Sequence, residues 1–237
     1  MAAGKGDWYT PLGGRYGSRA AGLTDAVSDR KRYAISGVIL AGGRSTRLGR
    51  DKAFLQLNGR PLIERIVATT AQVTEEVIIV TNDIEAYEGL NARLVTDFYP
   101  GKGALGGIFS GLRAASGQHA LVVACDMPFL NTGLLRYMAE LSPDYDIVIP
   151  RLGKLTEPLH AIYSQVCLPA IENQLNRENL RIASFFTEFR VRYVGREEIE
   201  DFDPDHLSFF NINNQSDLAR AREIWHRQES QVPSRES

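Results

Sequence analysis

The sequence predicts an α/β fold with a mainly parallel central sheet, and three observations carry the prediction. Short apolar runs recur along the chain, helical patterns separate them, and glycine-rich or acidic breaks fall where several of the runs end. Strands joined through helices need crossover connections, which cover a parallel sheet on both faces. In such sheets ligands collect outside the carboxyl ends of the strands. The loops after the runs are therefore where chemistry is expected.

Residues 37–40 read as the first buried strand. Pro61 suits the first turn of a helix whose Leu62, Ile63, Ile66 and Val67 share one face. Residues 77–80 form a β-branched strand and 93–96 another; 106–115 read as a helix, and 120–124 as the next apolar strand. Residues 146–149, 159–163 and 190–194 supply further strands. Asn214 or Ser216 is placed to cap a last helix running towards His226. No internal repeat is visible, and the later third is patterned less sharply. Residues 1–33, rich in glycine and arginine without periodicity, are expected to be a flexible leader. Residues 34–228 then form a single domain, and 229–237 a flexible tail.

With 237 residues, 43% of them hydrophobic, the chain is long enough to bury one sizeable core. A net charge of −2 argues against a dedicated nucleic-acid binder. No run approaches the ~18 apolar residues of a membrane span, and the N-terminus lacks the apolar stretch of a secretory signal. Cys125 and Cys167 are too few and too far apart for a disulfide framework, and fit a cytoplasmic protein.

The most informative stretch is 38–52, V-I-L-A-G-G-R-S-T-R-L-G-R-D-K. A strand breaks into Ala41, Gly42 and Gly43, then into a segment carrying Arg44, Arg47, Arg50 and Lys52. Glycines let successive backbone N–H groups approach an anion, and the cations complete a phosphate loop. It is not a P-loop, because Gly49 is followed by Arg50-Asp51-Lys52 rather than Lys-Ser/Thr. Asp126 ends the run A-L-V-V-A-C-D, at the carboxyl tip of a buried strand. It reads either as the cap of the next turn or as a post for Mg²⁺, which takes one or two carboxylates plus phosphate oxygens. Facing a cationic glycine loop, the metal reading is the better one.

Asp97 also follows a strand and suits either a nucleotide contact or the turn towards Pro100. Asn82 offers an amide to a base or ribose, or simply turns the chain. Residues 101–106 match G-x-G-x-x-G, with Asp126 twenty residues further on, as a dinucleotide fold would want. Here, however, Asp97 to Pro100 separate strand from glycines, which favours a substrate-side loop leading into the helix at Ile108. His160, in E-P-L-H, is expected to be a structural hydrogen-bonder. Asn211 and Asn213 point the same way from an extended segment, towards phosphates or to brace loops. No zinc spacing and no nucleophile elbow is present.

Together, L-A-G-G-R-S-T-R-L-G-R-D-K, N-G-R-P-L-I-E-R, L-G-G-I-F-S-G-L, C-D-M-P-F-L, E-P-L-H-A-I-Y and N-I-N resemble the molybdenum cofactor guanylyltransferase family of nucleotidyltransferases, in family order over residues 36–225. The resemblance implies a Rossmann-like three-layer α/β/α fold and Mg²⁺-dependent transfer of GMP from GTP to molybdopterin, with release of pyrophosphate. It also implies that Leu40, Ala41, Gly42 and Gly43 touch the nucleotide, that Lys52 binds phosphate, that Asp97 binds nucleotide and that Asp126 holds Mg²⁺ and GTP. The family's base-side asparagine falls near Asn82. Arg47 joins Lys52 on the phosphates by charge and spacing, while Arg44 and Arg50 read as solvated cations. Two departures stand out: Gly103-Ala104 where Gly-Pro is usual, and Asn214-Gln215 where Thr-Pro is frequent after N-x-N.

The expected partners are GTP and molybdopterin, with transient contact to cofactor-supplying or molybdoenzyme-maturation proteins, and neither nucleic acid nor membrane. Leu40-Ala41-Gly42-Gly43 resembles the guanylyl branch, whereas Ala-Ala-Gly marks the cytidylyl branch. CMP transfer, NMP transfer to a sugar phosphate, an NAD-binding oxidoreductase built on residues 101–106, and a nucleotide-binding adaptor without turnover are the alternatives.

Overall fold

The computed structural model describes residues 33–41 and 52–231. Ten strands are present among them: β1 (Tyr33–Leu40), β2 (Gln56–Leu57), β3 (Arg60–Pro61), β4 (Thr74–Val80), β5 (Arg93–Val95), β6 (His119–Ala124), β7 (Ile147–Leu152), β8 (Leu155–Thr156), β9 (His160–Ser164) and β10 (Val191–Val194). The helices are α1 (Leu62–Thr70), α2 (Gly103–Ala114), α3 (Thr132–Leu141), α4 (Leu168–Asn176), α5 (Arg196–Glu200) and α6 (Gln215–Gln231). None is long and apolar enough to cross a membrane.

The main sheet runs β10-β7-β9-β6-β1-β4-β5, with β8 folded back on β7. Only β9 opposes its neighbours in that path, pairing antiparallel with both β6 and β7; the other pairs are parallel. The expected mixed, mostly parallel sheet is thus present. Ile39, Ile79, Leu121 and Val123 face α1, α3 and α5, while Val38, Ile78 and Val122 face α2 and α4. These strands are buried on both faces, so they read as continuous apolar runs rather than as alternation.

Helix α2 lies so close to β1 that two of its positions have no room for a side chain. A Cβ on Gly107 would stand 3.1 Å from Leu40 Cδ2, and one on Gly111 would overlap Val38. The glycines of L-G-G-I-F-S-G-L therefore seat the helix on β1, next to the loop that follows Leu40. Helix α2 begins at Gly103, inside the G-x-G-x-x-G match and three residues before the start expected from the pattern. Ala104 takes the second helical position, where the usual proline would also fit because a first-turn N–H needs no partner.

A third apolar cluster lies apart from the sheet. Leu57, Leu62, Phe129, Ile212, Leu218, Ala221 and Ile224 pack together, joining the β2–β3 hairpin to α6. The hairpin turns at Asn58 and Gly59, both at positive φ, the conformation for which Asn-Gly is suited. Arg65 donates through Nε and Nη2 to the carbonyl of Leu57, at 3.2 and 2.9 Å, and its guanidinium lies 3.9 Å over the Trp225 ring. That stack is worth about 0.5–2 kcal/mol.

Two ends differ from the sequence pattern. Strand β1 takes in Tyr33, whose N–H donates to Val73 O at 2.9 Å and whose hydroxyl donates to Glu140 Oε1 at 2.7 Å. Helix α6 continues to Gln231, past the expected end of the domain at 228. Residues 1–32 and 232–237 lie outside the described residues.

Candidate active site

The site grows from the carboxyl end of the central strands. Ladder bonds continue past the strands proper, with Ala41 N donating to Val80 O at 2.9 Å and Cys125 N to Leu40 O at 3.2 Å. This fixes Asp126 beside the end of β1, at Leu40 and Ala41. The carbonyl of Asp126 accepts from Ile212 N at 2.9 Å, which brings the N-I-N segment onto the same rim.

Lys52 opens the next described segment, at the start of a short 3₁₀ turn, Lys52–Phe54. Its ammonium stands 3.3 Å from Asp126 Oδ2 and donates to Asn213 Oδ1 at 2.8 Å. The side chains of Lys52 and Asp126 remain 20% and 19% exposed, so the pair is reachable by a ligand. Asn213 is held by the cap of α6. Asp217 Oδ2 accepts from the N–H groups of Asn213 and Asn214 at 2.8 and 3.1 Å, and Asn214 Oδ1 accepts from Asp217 N at 3.0 Å. Asn214, rather than Ser216, is therefore the N-cap. It does the work of the threonine usual there, both being good N-caps worth about 1 kcal/mol.

Asn213 is the site residue that the sequence pattern left open. Its spacing from Asn211 was the visible signal, and the structure separates the two. Asn211 Nδ2 donates to Phe209 O at 3.0 Å and braces the loop, whereas Asn213 reaches Lys52.

Asp97 is fixed by α2. Its Oδ1 accepts from Tyr99 N at 3.0 Å and from Ser110 Oγ at 2.8 Å, and Ser110 Oγ in turn accepts from Phe98 N at 2.9 Å. The turn role is thus real, and both bonds use the same carboxylate oxygen. Asn82 is exposed just past β4, and no hydrogen bond among the described residues ties it to Lys52, Asp97 or Asp126. Asn82 and Asp97 extend the rim rather than join the cluster. From β6 across β1 and β4 to β5 is three strand spacings, about 14 Å, a line suited to an extended ligand. Gly42, Gly43 and Arg47 lie outside the described residues.

His160 differs from expectation. It is fully buried at the start of β9, edge-on to Phe209 with ring centroids 5.0 Å apart, and neither ring nitrogen has a hydrogen-bond partner. Burial pushes its pKa down to about 3, so the ring is neutral. It packs; it does not bridge.

Among the described residues, no three His, Cys, Asp or Glu side chains cluster as metal ligands. A cation here would have to share its coordination with substrate oxygens.

Residues 37–190 match the family model of the MobA-like NTP transferase domain. The chain belongs to this family. Relatives agree: a probable molybdenum cofactor guanylyltransferase of Pelotomaculum thermopropionicum is 42% identical over 187 residues, covering 79% of this chain and 91% of that protein. The molybdenum cofactor guanylyltransferase of Desulfosudis oleivorans is 38% identical over 190 residues, covering 79% and 94%. Among solved structures, molybdopterin-guanine dinucleotide biosynthesis protein A of Archaeoglobus fulgidus superposes with a TM-score of 0.72 at 29% identity, covering 81% of this chain and all of that one. A cytidylyltransferase of Thermus thermophilus, acting on 2-C-methyl-D-erythritol 4-phosphate by its name, shares the fold at a TM-score of 0.60 and 21% identity. Within the MobA-like family this chain keeps a nucleotidyltransferase sheet, and Lys52, Asp126 and Asn213 converge at its carboxyl edge.

Proposed function

We propose that this enzyme transfers GMP from GTP to the terminal phosphate of molybdopterin, releasing pyrophosphate and forming the guanine dinucleotide. The observation that carries the reading is the convergence of Lys52, Asp126 and Asn213 beside the glycine loop, in a chain whose relatives bear that activity in their names.

A phosphate oxygen of the acceptor attacks the α-phosphorus of GTP as the bond to the pyrophosphate oxygen breaks. The attacking group is already an anion, so no protein nucleophile is required. Catalysis rests on placing two polyanions against each other and neutralising their charge. Lys52 serves this directly: its ammonium has three donors, two of them engaged by Asp126 and Asn213, and it releases these oxygens as it turns onto a phosphate. Backbone groups after Leu40 and Ala41, together with Gly42, Gly43 and Arg47, hold the triphosphate. Asp97 and Asn82 lie along the nucleoside.

The donor set fits Mg²⁺. Asp126 Oδ2 and Asn213 Oδ1 already share one cationic group, and a carboxylate with an amide oxygen is the hard-oxygen pairing this ion accepts when phosphates and water complete its shell. Bound there by Asp126 and Asn213, Mg²⁺ would supply polarisation of the α-phosphate. Arg47 and Lys52 would take the charge of the leaving pyrophosphate.

The test is turnover by the purified chain with Mg²⁺, molybdopterin and either GTP or CTP, following pyrophosphate and the dinucleotide product. GTP-dependent product is expected. Product from CTP at an equal or greater rate would move the enzyme to the cytidylyl branch, and no product from either would end the proposal.

A further inference from the structure

One carboxylate on the ligand rim has no use in the reaction above. Glu157 sits in the turn before β9, where its N–H donates to Pro150 O at 3.1 Å and its carbonyl accepts from His160 N at 3.0 Å. The backbone is thus pinned between β7 and β9. Its side chain is half-buried, and no hydrogen bond or ion pair to it is found among the described residues. Burial alone raises its pKa above the usual carboxylate value.

Its place on the rim follows from strand register. Val123 faces His160 across the antiparallel β6–β9 pair. Three residues onward from Val123 is Asp126, and three residues back from His160 is Glu157. The two carboxylates therefore leave the sheet at the same edge from adjacent strands. The nucleotide candidates lie on the other flank of β6: Leu40 and Ala41 after β1, Asn82 after β4 and Asp97 after β5. Glu157 is on the flank they leave open. No group among the described residues donates to this half-buried carboxylate, so its oxygens are open to a ligand that brings donors. Two parallel acceptor oxygens best suit two parallel N–H donors.

We propose that Glu157 reads the N–H edge of a 2-amino-4-oxopyrimidine ring, and that the ring is the pterin of the acceptor. The proposal rests on the functional reading above. The same edge occurs in guanine, so the ring could in principle come from either substrate; the position of Glu157 away from β1, β4 and β5 assigns it to the acceptor. Glu157 is a specificity residue in this scheme. It takes no part in the phosphoryl step.

The experiment titrates the protein with a 6-hydroxyalkylpterin phosphate and with the matching lumazine phosphate, in which a carbonyl replaces the 2-amino group. Both are followed by ligand fluorescence, on the wild type and on Glu157→Gln, with GTP binding measured in parallel. The wild type should bind the pterin about tenfold more tightly than the lumazine, the discrimination expected of one charge-assisted hydrogen bond. Glu157→Gln should lose that preference while its GTP affinity, Mg²⁺ half-saturation and melting temperature stay as in the wild type. Equal binding of pterin and lumazine by the wild type would overturn the proposal without any variant. A preference retained in Glu157→Gln would overturn it as well. Weakened GTP binding in the variant would give the contact to the guanine of the donor, and a raised Mg²⁺ requirement would make Glu157 a metal ligand; either overturns the acceptor assignment. Wild-type turnover with GTP and molybdopterin is read separately, so loss of the pterin preference and loss of the proposed reaction remain distinct results.

Discussion

Around Lys52 the charged and polar groups satisfy one another, whereas at the start of β9 the side chains of Glu157 and His160 have no hydrogen-bond partner among the described residues. The contrast shows two ways of preparing a site. Lys52 is held by Asp126 and Asn213, so in the proposed reaction an arriving phosphate exchanges one set of oxygens for another at small reorganisation cost. Glu157 keeps its oxygens open to an incoming donor, which in the proposed scheme makes it selective. His160 is a different case again: neutral and packed on Phe209, it needs no ligand.

The strongest way to break this contrast is to remove charge from the paired side. Asp126→Asn keeps the size of the side chain but removes the charge of the proposed hard-cation site, and kcat should fall on the order of 10²-fold or more, with the fold unchanged by circular dichroism. Activity near that of the wild type would take Asp126 out of the metal role. Lys52→Ala should weaken GTP binding about tenfold or more in a calorimetric titration, as loss of a charged hydrogen bond predicts. Lys52→Arg should restore only part of it, since a planar fork does not replace a compact ammonium. Unaltered affinity in Lys52→Ala would show that the Asp126 contact is merely a surface pair. Base choice sharpens the same side: GTP should be preferred over CTP by about tenfold, judged by kcat/KM measured side by side.

On the unpaired side the sharper probe is pH. His160 is held near pKa 3 in the fold against 6.5 for an exposed ring, so the unfolded chain takes up its proton first as pH falls below 6.5. Stability contributed by the neutral ring is complete above 6.5 and is lost from there towards 3. Glu76 adds a second, lower window. Burial would raise its pKa, but hydrogen bonds from Ser36 Oγ, Ser116 N and Arg93 outweigh that and bring it to about 2, so its contribution is present above 4.5 and lost from 4.5 towards 2. His160→Leu should flatten the pH dependence of the urea midpoint between 6.5 and 4.5 and lower the slope between 4.5 and 3, leaving the contribution of Glu76 below 4.5 in place. An unchanged slope in the upper window would show that His160 is not the titrating group. The smallest effect is expected from truncation. Deleting residues 1–32 should leave the melting temperature and GTP affinity almost unchanged, whereas extending the deletion through Tyr33 removes its bonds to Val73 and Glu140 and should lower the melting temperature by a few degrees.

Much of this was legible in the sequence because the central strands are buried on both faces. Residues 37–40, 77–80 and 120–124 stand out as apolar runs, and each lies inside the strand that forms. Strand direction is another matter: nothing in H-A-I-Y-S says that β9 runs against β6, because direction is set by the connections around it. Helix α3 was also hidden. Its Leu134, Leu135, Met138 and Ala139 follow a helical period, but they begin only after the turn at Pro128, and Asn131 caps the helix by accepting from Leu134 N at 3.0 Å. The Asp126 position could be read from a strand end. The partner of Lys52 could not, since no local pattern links Asn213 to a residue so distant in sequence.

The hydrogen bond from Lys52 to Asn213 joins residues 161 positions apart. In the order of synthesis Lys52 and Asp126 are made long before Asn213, and the helix that caps Asn213 comes last of all the described elements. Closing so long a loop is entropically dear and is favoured only once Ile212, Leu218 and Ile224 can dock on Leu57 and Leu62. A nascent chain that already carries the whole central sheet therefore still lacks the third corner of the proposed phosphate site. Completion of the last helix is what closes the triad, so a half-made enzyme has no assembled place to hold a nucleotide.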